Sequence, residues 1–245
     1  AASDVYKRQE QNMSLRNASP SMDHWFGTDR MGRDIFVRIL FGARISLAVG
    51  CLAAVINLIV GTIYGGIAGY VGGKVDMVMM RIVDIIYSVP AMLYIVLIML
   101  IFGASVISIM LGISITCWID MARIVRQQVK SLKEQEFTMA AFVLGASPSR
   151  ILIKHLLINT MGQIIVTVTL MVPQAIFTEA WLSFLGVGIS APMASWGTLA
   201  QDARQLIMTY PMQTVYPMIA ICITIFSFNF VGEGLEKALD PKRKR

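Results

Sequence analysis

Ile45–Tyr70 (ISLAVGCLAAVINLIVGTIYGGIAGY) carries no charged side chain. An uninterrupted apolar run of about 18 residues or more, as a helix, is long enough to cross a bilayer core of about 30 Å. Its residues are apolar on nearly every side, which separates it from the one-sided pattern of a surface helix. A chain in lipid must pair its own backbone groups, and a helix does so within one segment. This run therefore predicts a membrane-spanning helix.

Four further runs read the same way: Val78–Phe102, Val106–Ala122, Leu156–Leu185 and Thr214–Val231. The fold class that follows is all-α, a polytopic transmembrane helix bundle with five spans. Small residues interrupt the runs at helical spacing. Gly61, Gly65 and Gly69 share one face of the first helix, with Gly66 alongside; such a face admits a closely packed neighbour. Pro90 predicts a kink in the second span and Pro173 one in the fourth.

Composition agrees. Of 245 residues, 56% are hydrophobic and 15% charged, with a mean hydropathy of +0.66, against about 25% charged in soluble domains. The net charge of +6 gathers in short polar connections, a topology signal and not a nucleic-acid footprint. Cys51, Cys117 and Cys222 each lie in an apolar run and read as packing residues. His24 and His155 lack a second ligand at metal-binding spacing, so no metal site is expected.

The connections set the orientation. Arg123, Arg126, Lys130, Lys133, Arg150 and Lys154 fill the largest one, and Lys237, Lys242, Arg243, Lys244 and Arg245 close the chain. Both are expected in the cytoplasm, with residues 186–213 outside. Counting spans back places residues 10–44 outside too. That strains the charge rule at Arg30, Arg33, Arg38 and Arg44, for which Asp23, Asp29 and Asp34 are the expected partners. Within the spans, Arg81 with Asp84 and Asp120 with Arg123 stand three apart and are expected to pair.

Residues 131–155 form the most informative connection. Glu134–Leu144 predicts a helix stopped by Gly145, and Ser147 with Pro148 predicts the start of the next. Phe137, Met139, Phe142 and Leu144 are apolar although they sit outside the membrane. Such a helix either docks on a partner or folds back on its own bundle.

The run Glu136–Ser147 resembles the cytoplasmic coupling motif of ABC importer permeases, which reads Glu-Ala-Ala, three residues, then Gly. Ala140, Ala141 and Gly145 match; Met139 replaces the glutamate, and Ile158 stands where the family usually has proline. Gly27-Thr28-Asp29-Arg30-Met31-Gly32-Arg33-Asp34 is similar to the signature of the dipeptide/oligopeptide/nickel permease subfamily. Phe41–Leu47, Asp76–Arg81 with Asp84, Glu179–Gly186, Ser195–Gly197, and Asn229, Gly232, Gly234, Leu235, Ala238, Leu239, Asp240 and Pro241 continue the resemblance in order.

The resemblance implies a type I ABC importer permease fold with six spans, one of them before Gly27. Asp4–Gln9 resembles the translation of a transposon end used in sequencing libraries, so residues 1–9 are read as a scar and the sixth span as lost with the true N-terminus. Residues 45–240 are then the permease domain and 241–245 a basic tail. The resemblance further implies ATPase coupling through Glu136, Met139, Ala140, Ala141, Gly145, Ala146 and Ser147. It implies a second homologous permease, two ATPase subunits that bind ATP and Mg, an extracytoplasmic substrate-binding protein, and the inner membrane. No cofactor is expected in this chain, and it is not expected to be an enzyme.

Glu179, deep in the fourth run, either faces a translocation pathway or hydrogen-bonds to a neighbouring helix. With the two prolines it is the support for an alternative, a gradient-driven secondary transporter. Gly73-Lys74 is no phosphate loop, since Val75 stands where Ser or Thr is needed. Gly186–Ala191 fits a dinucleotide fingerprint only superficially, because it follows an apolar helix.

Overall fold

The computed structural model describes residues 12–188 and 193–239. The scar reading at 1–9, part of the Gly186–Ala191 run, Asp240, Pro241 and the basic tail 241–245 lie outside the described residues. Regular structure among the described residues is helical, with one isolated bridge between Thr28 and Asp34.

The first apolar run belongs to a continuous 37-residue helical stretch, Ile35–Val71. It comprises α1 (Ile35–Ile56), a π-helical turn Asn57–Gly61 and α2 (Thr62–Val71). The second run breaks at Pro90, as expected, but more sharply than a kink: α3 (Gly73–Ser88) and α4 (Ala91–Phe102) are bent by 76°. Pro90 removes a backbone donor and pushes Val89 out of helical geometry, and Val89 is extended (φ −92°, ψ 127°). The third run lengthens into α5 (Val106–Lys133). After α6 (Glu136–Val143), a stretch from Pro148 through a π-helical segment leads into α7 (Ile158–Phe184). Pro173 sits inside α7 without ending it.

A short helix the sequence did not predict, α8 (Trp196–Arg204), follows, and α9 (Pro211–Leu239) closes the described chain. Among the described residues, four helical stretches are long and apolar enough to cross a membrane, or five if the bent α3–α4 pair is one span.

Contacts divide the chain into two units, residues 1–50, 98–109 and 173–227, and residues 51–97, 110–172 and 228–245. In the second unit the glycine face of the first stretch lies against α5. A Cβ on Gly61 would meet the Trp118 carbonyl oxygen at 2.9 Å, one on Gly69 the Arg126 oxygen at 2.7 Å, and one on Gly65 would strike the Ala122 oxygen. The spacing of four residues is thus a backbone-to-backbone seam. Below it, Met121, Val125, Val129, Ile151, Leu156 and Ile164 form a buried cluster.

Charges in this unit act as tethers. Asp76 of α3 accepts bonds from Arg126, whose Nη2 lies 2.6 Å away, and from Lys130 Nζ at 3.3 Å. Lys133 Nζ donates to the Tyr70 carbonyl at 2.6 Å. The expected intrahelical pairs yield to a longer-range one: Asp84 pairs with Arg123 of α5 at 3.0 Å. The Arg123 guanidinium also stacks 4.4 Å from the Tyr87 ring centre. Neighbours three apart share a helix face, but here a packed second helix presents the nearer partner.

Candidate functional site

Three sets of residues carry the polar and exposed features singled out in the sequence. The first is α6. Its helix is two residues shorter at the start than predicted, beginning at Glu136 after the extended Gln135. Thr138 is buried, and its Oγ1 donates to the Leu132 carbonyl at 2.8 Å, pinning α6 to the end of α5. Ala141 and Ala146 pack against the Met121–Ile164 cluster. Their small side chains let α6 lie close.

The remaining side chains turn outward: Met139, Phe142, Val143 and Leu144 are 61%, 72%, 83% and 86% exposed. Glu136 and Ala140 are exposed as well. α6 ends as predicted. Gly145 has φ +80°, its N–H reaches the Phe142 carbonyl, and the Ala146 N–H reaches that of Ala141, both at 3.0 Å. These two bonds satisfy carbonyls the helix would otherwise strand. Ser147 does occupy the position before the next turn, but its hydroxyl makes no cap bond.

The outcome is a short helix whose inner face is fixed by one threonine and two alanines, and whose outer face is a run of large apolar side chains. Thr138 and Val143 were not singled out in the sequence. Helical period sets 138 and 141 on one face and 139 and 143 on another, but it places 142 beside 138, so period alone would not have separated the inner face from the outer.

The second set is the Gly27–Asp34 segment, which belongs to the first unit. Gly27 and Gly32 take positive φ of 74° and 70°, and a Cβ at either would strike the carbonyl oxygen of Ala18 or Asn12. Thr28 is fully buried; its Oγ1 accepts from the Ala18 N–H at 2.8 Å and donates to the Leu15 carbonyl. Asp34 caps α1 by accepting the Val37 N–H at 2.9 Å, and meets His24 Nδ1 at 2.8 Å.

Asp29 is the hub. One carboxylate oxygen accepts the N–H groups of Met31 (2.8 Å) and Arg33 (3.0 Å), and the other accepts Arg33 Nε (2.7 Å) and Arg38 Nη1 (2.6 Å). Arg38 in turn reaches Asp202 of α8 at 3.2 Å, and Arg30 and Arg33 lie 3.6 Å from the same carboxylate. The aspartate partners expected for these arginines are thus Asp29 and, unforeseen, Asp202. Gln213 Nε2 of α9 donates to the Thr28 carbonyl at 3.0 Å. The signature folds its own segment and ties it to α1, α8 and α9.

The third is Glu179. Its side chain is fully buried, and it accepts from Ser183 Oγ at 2.8 Å and from Ser46 Oγ of α1 at 3.1 Å. Ser46 Oγ also accepts the Trp196 N–H at 3.3 Å, and the Trp196 indole N–H donates to the Ile39 carbonyl at 3.0 Å. These bonds join α7, α1 and the start of α8 around Glu179. Among the described residues, no three His, Cys, Asp or Glu side chains gather where a metal could bind.

Residues 61–245 match the family described as binding-protein-dependent transport system inner membrane component. The chain belongs to that family. This inner-membrane transport component is 51% identical to the oligopeptide transport system permease protein OppC of Bacillus subtilis, over 98% of this chain and 79% of that protein. It is 48% identical to the dipeptide transport system permease protein DppC of the same organism (96% and 74% covered) and 44% identical to the OppC protein of Escherichia coli (94% and 76%). Its fold is that of a chain in inward-facing structures of the methionine ABC transporter MetNI, with a TM-score of 0.67 at 17% identity, covering 83% of this chain and 96% of that one. As a member of this family with several apolar spans, the transport component is a multi-pass protein of the bacterial inner membrane.

Proposed function

We propose that this chain is a permease subunit of an ATP-driven peptide importer, and that α6 is where ATPase subunits drive it. The observation that carries the reading is the outer face of α6. Met139, Phe142, Val143 and Leu144 stand exposed on a helix flanked by the basic connection, where lipid tails cannot cover them. Exposed apolar side chains in that setting call for a protein surface.

The names of the relatives support peptides as the cargo over nickel, and an extracytoplasmic binding protein is the expected donor. A second, homologous permease completes the pathway, and two ATPase subunits hold the ATP and Mg; this chain has no phosphate loop for either. ATP-driven closure of the ATPases would push on α6. Because Thr138 and Ala141 fix α6 to α5 and the buried cluster, the push reaches the spans as a rigid-body movement, a common mode of switching. A gradient-driven carrier would need an ionisable group free to exchange its cargo or proton near the midplane. Glu179 is instead held by two serine hydroxyls.

Cysteine crosslinking tests the reading. Cysteines at Met139 or Val143, in place of the native residues, should crosslink to a groove cysteine on the co-expressed ATPase with a yield that changes on ATP binding. A cysteine at Ala141, which packs inward, should crosslink far less. Equal, ATP-insensitive yields from all three positions would overturn the assignment of α6.

A further inference from the structure

We propose that the groove between α7, α8 and α9 in the first unit is a binding site for one phospholipid, with an acyl chain in the groove and the phosphate held by Arg204. The groove encloses about 280 Å³ and is lined by Trp181 and Phe184 of α7, Gly197 and Ala200 of α8, and Met218 and Cys222 of α9, among others. Gly197 is pressed so close to α7 that a Cβ would meet the Ala180 backbone at 2.6 Å. Side chains that are large on α7 and α9 and minimal on α8 leave the hollow between them.

The lining decides the chemistry. Its side chains are aliphatic, aromatic or sulfur-bearing, and its polar hydrogens are confined to the Trp181 indole and the Cys222 thiol. A peptide laid here would bury amide groups without partners, each at a cost of about 1–3 kcal/mol. A hydrocarbon chain has no such groups and gains from every apolar contact.

The rim supplies the complementary charge. The Arg204 guanidinium lies 5.7 Å from the centre of the Phe184 ring, a wall of the groove. Among the described residues no carboxylate lies within ion-pair distance of Arg204; Asp202, two residues before it, is taken by Arg30, Arg33 and Arg38. Trp181 is 44% exposed, and its indole N–H has no partner among the described residues. A cation and an indole donor beside an apolar slot match a phosphate and an ester carbonyl above an acyl chain. Tryptophan and arginine at this level are the usual interfacial pair. α9 leaves the slot open, with only 11% of its most apolar window covered by the chain itself.

The native Cys222 makes the site directly testable. In the intact transporter, with Cys51→Ala and Cys117→Ala, Cys222 is labelled with an environment-sensitive fluorophore and the complex placed in bilayers containing phosphatidylglycerol brominated on its acyl chains. A control carries Cys222→Ala and Ile63→Cys, labelled on the exposed face of α2. Quenching at Cys222 should saturate at a lower fraction of brominated lipid than at the control. Arg204→Gln should raise the fraction needed by roughly three- to tenfold, and Arg204→Lys should restore most of it. Arg204 is exposed, so neither variant threatens folding. Three results would each overturn the proposal: identical quenching at both sites with no effect of Arg204→Gln; no quenching at Cys222 because a second permease covers it, shown by a crosslink; or relief of quenching by a transported peptide, which would make the groove part of the substrate pathway.

Discussion

A Cβ on Gly65 would fall on the Ala122 carbonyl oxygen, whereas one on Gly66 would meet only leucine methyl groups at 3.5 and 3.7 Å. Adjacent glycines in one helix therefore differ in what they permit. A backbone oxygen in a packed helix cannot move aside, so Gly65→Ala forces α2 away from α5 and should cost about 1–3 kcal/mol. Gly66→Ala costs nothing sterically and removes the flexibility of a helical glycine, a gain of up to about 1 kcal/mol. Thermal unfolding of the two purified variants in one detergent separates them. Equal shifts, in either direction, would mean the seam is not a tight backbone contact. The seam was readable from the spacing of Gly61, Gly65 and Gly69, because helical period alone puts them on one face. Its partner was not, since no local pattern marks α5 as the neighbour. The Asp29 hub shows the same division. The aspartates of the signature announced that its arginines had partners, but Asp202, far along the chain, had no sequence signal. Arg38 has 9% of its side chain exposed and bridges both. Arg38→Met should therefore destabilise the protein by about 2–4 kcal/mol, below the full penalty for a broken buried pair because Arg33 still serves Asp29. A loss under about 0.5 kcal/mol in denaturation would show the network to be idle.

At the scale of elements, α6 was the most legible part of the chain. Its stop at Gly145 follows from a residue that tolerates φ +80°, and its exposed apolar residues follow from composition. Gly145→Ala should cost about 1 kcal/mol in that conformation. Thr138→Val keeps the shape but removes the bond to the Leu132 carbonyl. If α6 transmits force, Thr138→Val should lower peptide uptake per ATP hydrolysed while leaving protein abundance in the membrane unchanged. Uptake and hydrolysis falling together, or neither changing, would argue against a transmitting role for the threonine. Two elements escaped the sequence. The 76° break between α3 and α4 was read as a kink, because hydropathy is blind to direction and only Pro90 hinted at the interruption. α8 was hidden in a polar stretch too short and mixed to register as a helix. Its start is a capping box in which Thr198 replaces the usual acidic partner, so Ser195 and Thr198 exchange side-chain bonds with each other's backbone.

For the molecule as a whole, orientation rests on charge. The cluster Arg123, Arg126, Lys130 and Lys133 was read as a marker of the cytoplasmic side, with a partner expected for Arg123 alone, in Asp120. The structure gives each a partner as well: Asp84, Asp76, Asp76 and the Tyr70 carbonyl. Acidic partners count for little in the charge rule, so the pairs leave the marker standing. Of the four arginines that strain the charge rule, Arg30, Arg33 and Arg38 pair with Asp29 or Asp202, and Arg44 lies over the Phe41 ring. The number of basic residues decides the side: Arg123, Arg126, Lys130, Lys133, Arg150 and Lys154 crowd one connection, whereas residues 186–213 carry Arg204 alone, which favours a cytoplasmic 131–155 segment. The two sides can be told apart with reagents that do not cross membranes. Met208 is 95% exposed in the connection between α8 and α9, and Val143 is 83% exposed on α6. A cysteine replacing Met208 should react with an impermeant maleimide in intact spheroplasts, and one replacing Val143 only after permeabilisation. The reverse pattern would invert every span and place α6 where no ATPase could reach it. Labelling of both without permeabilisation would imply an even number of crossings between 143 and 208, which the length of α7, as a single span, does not allow.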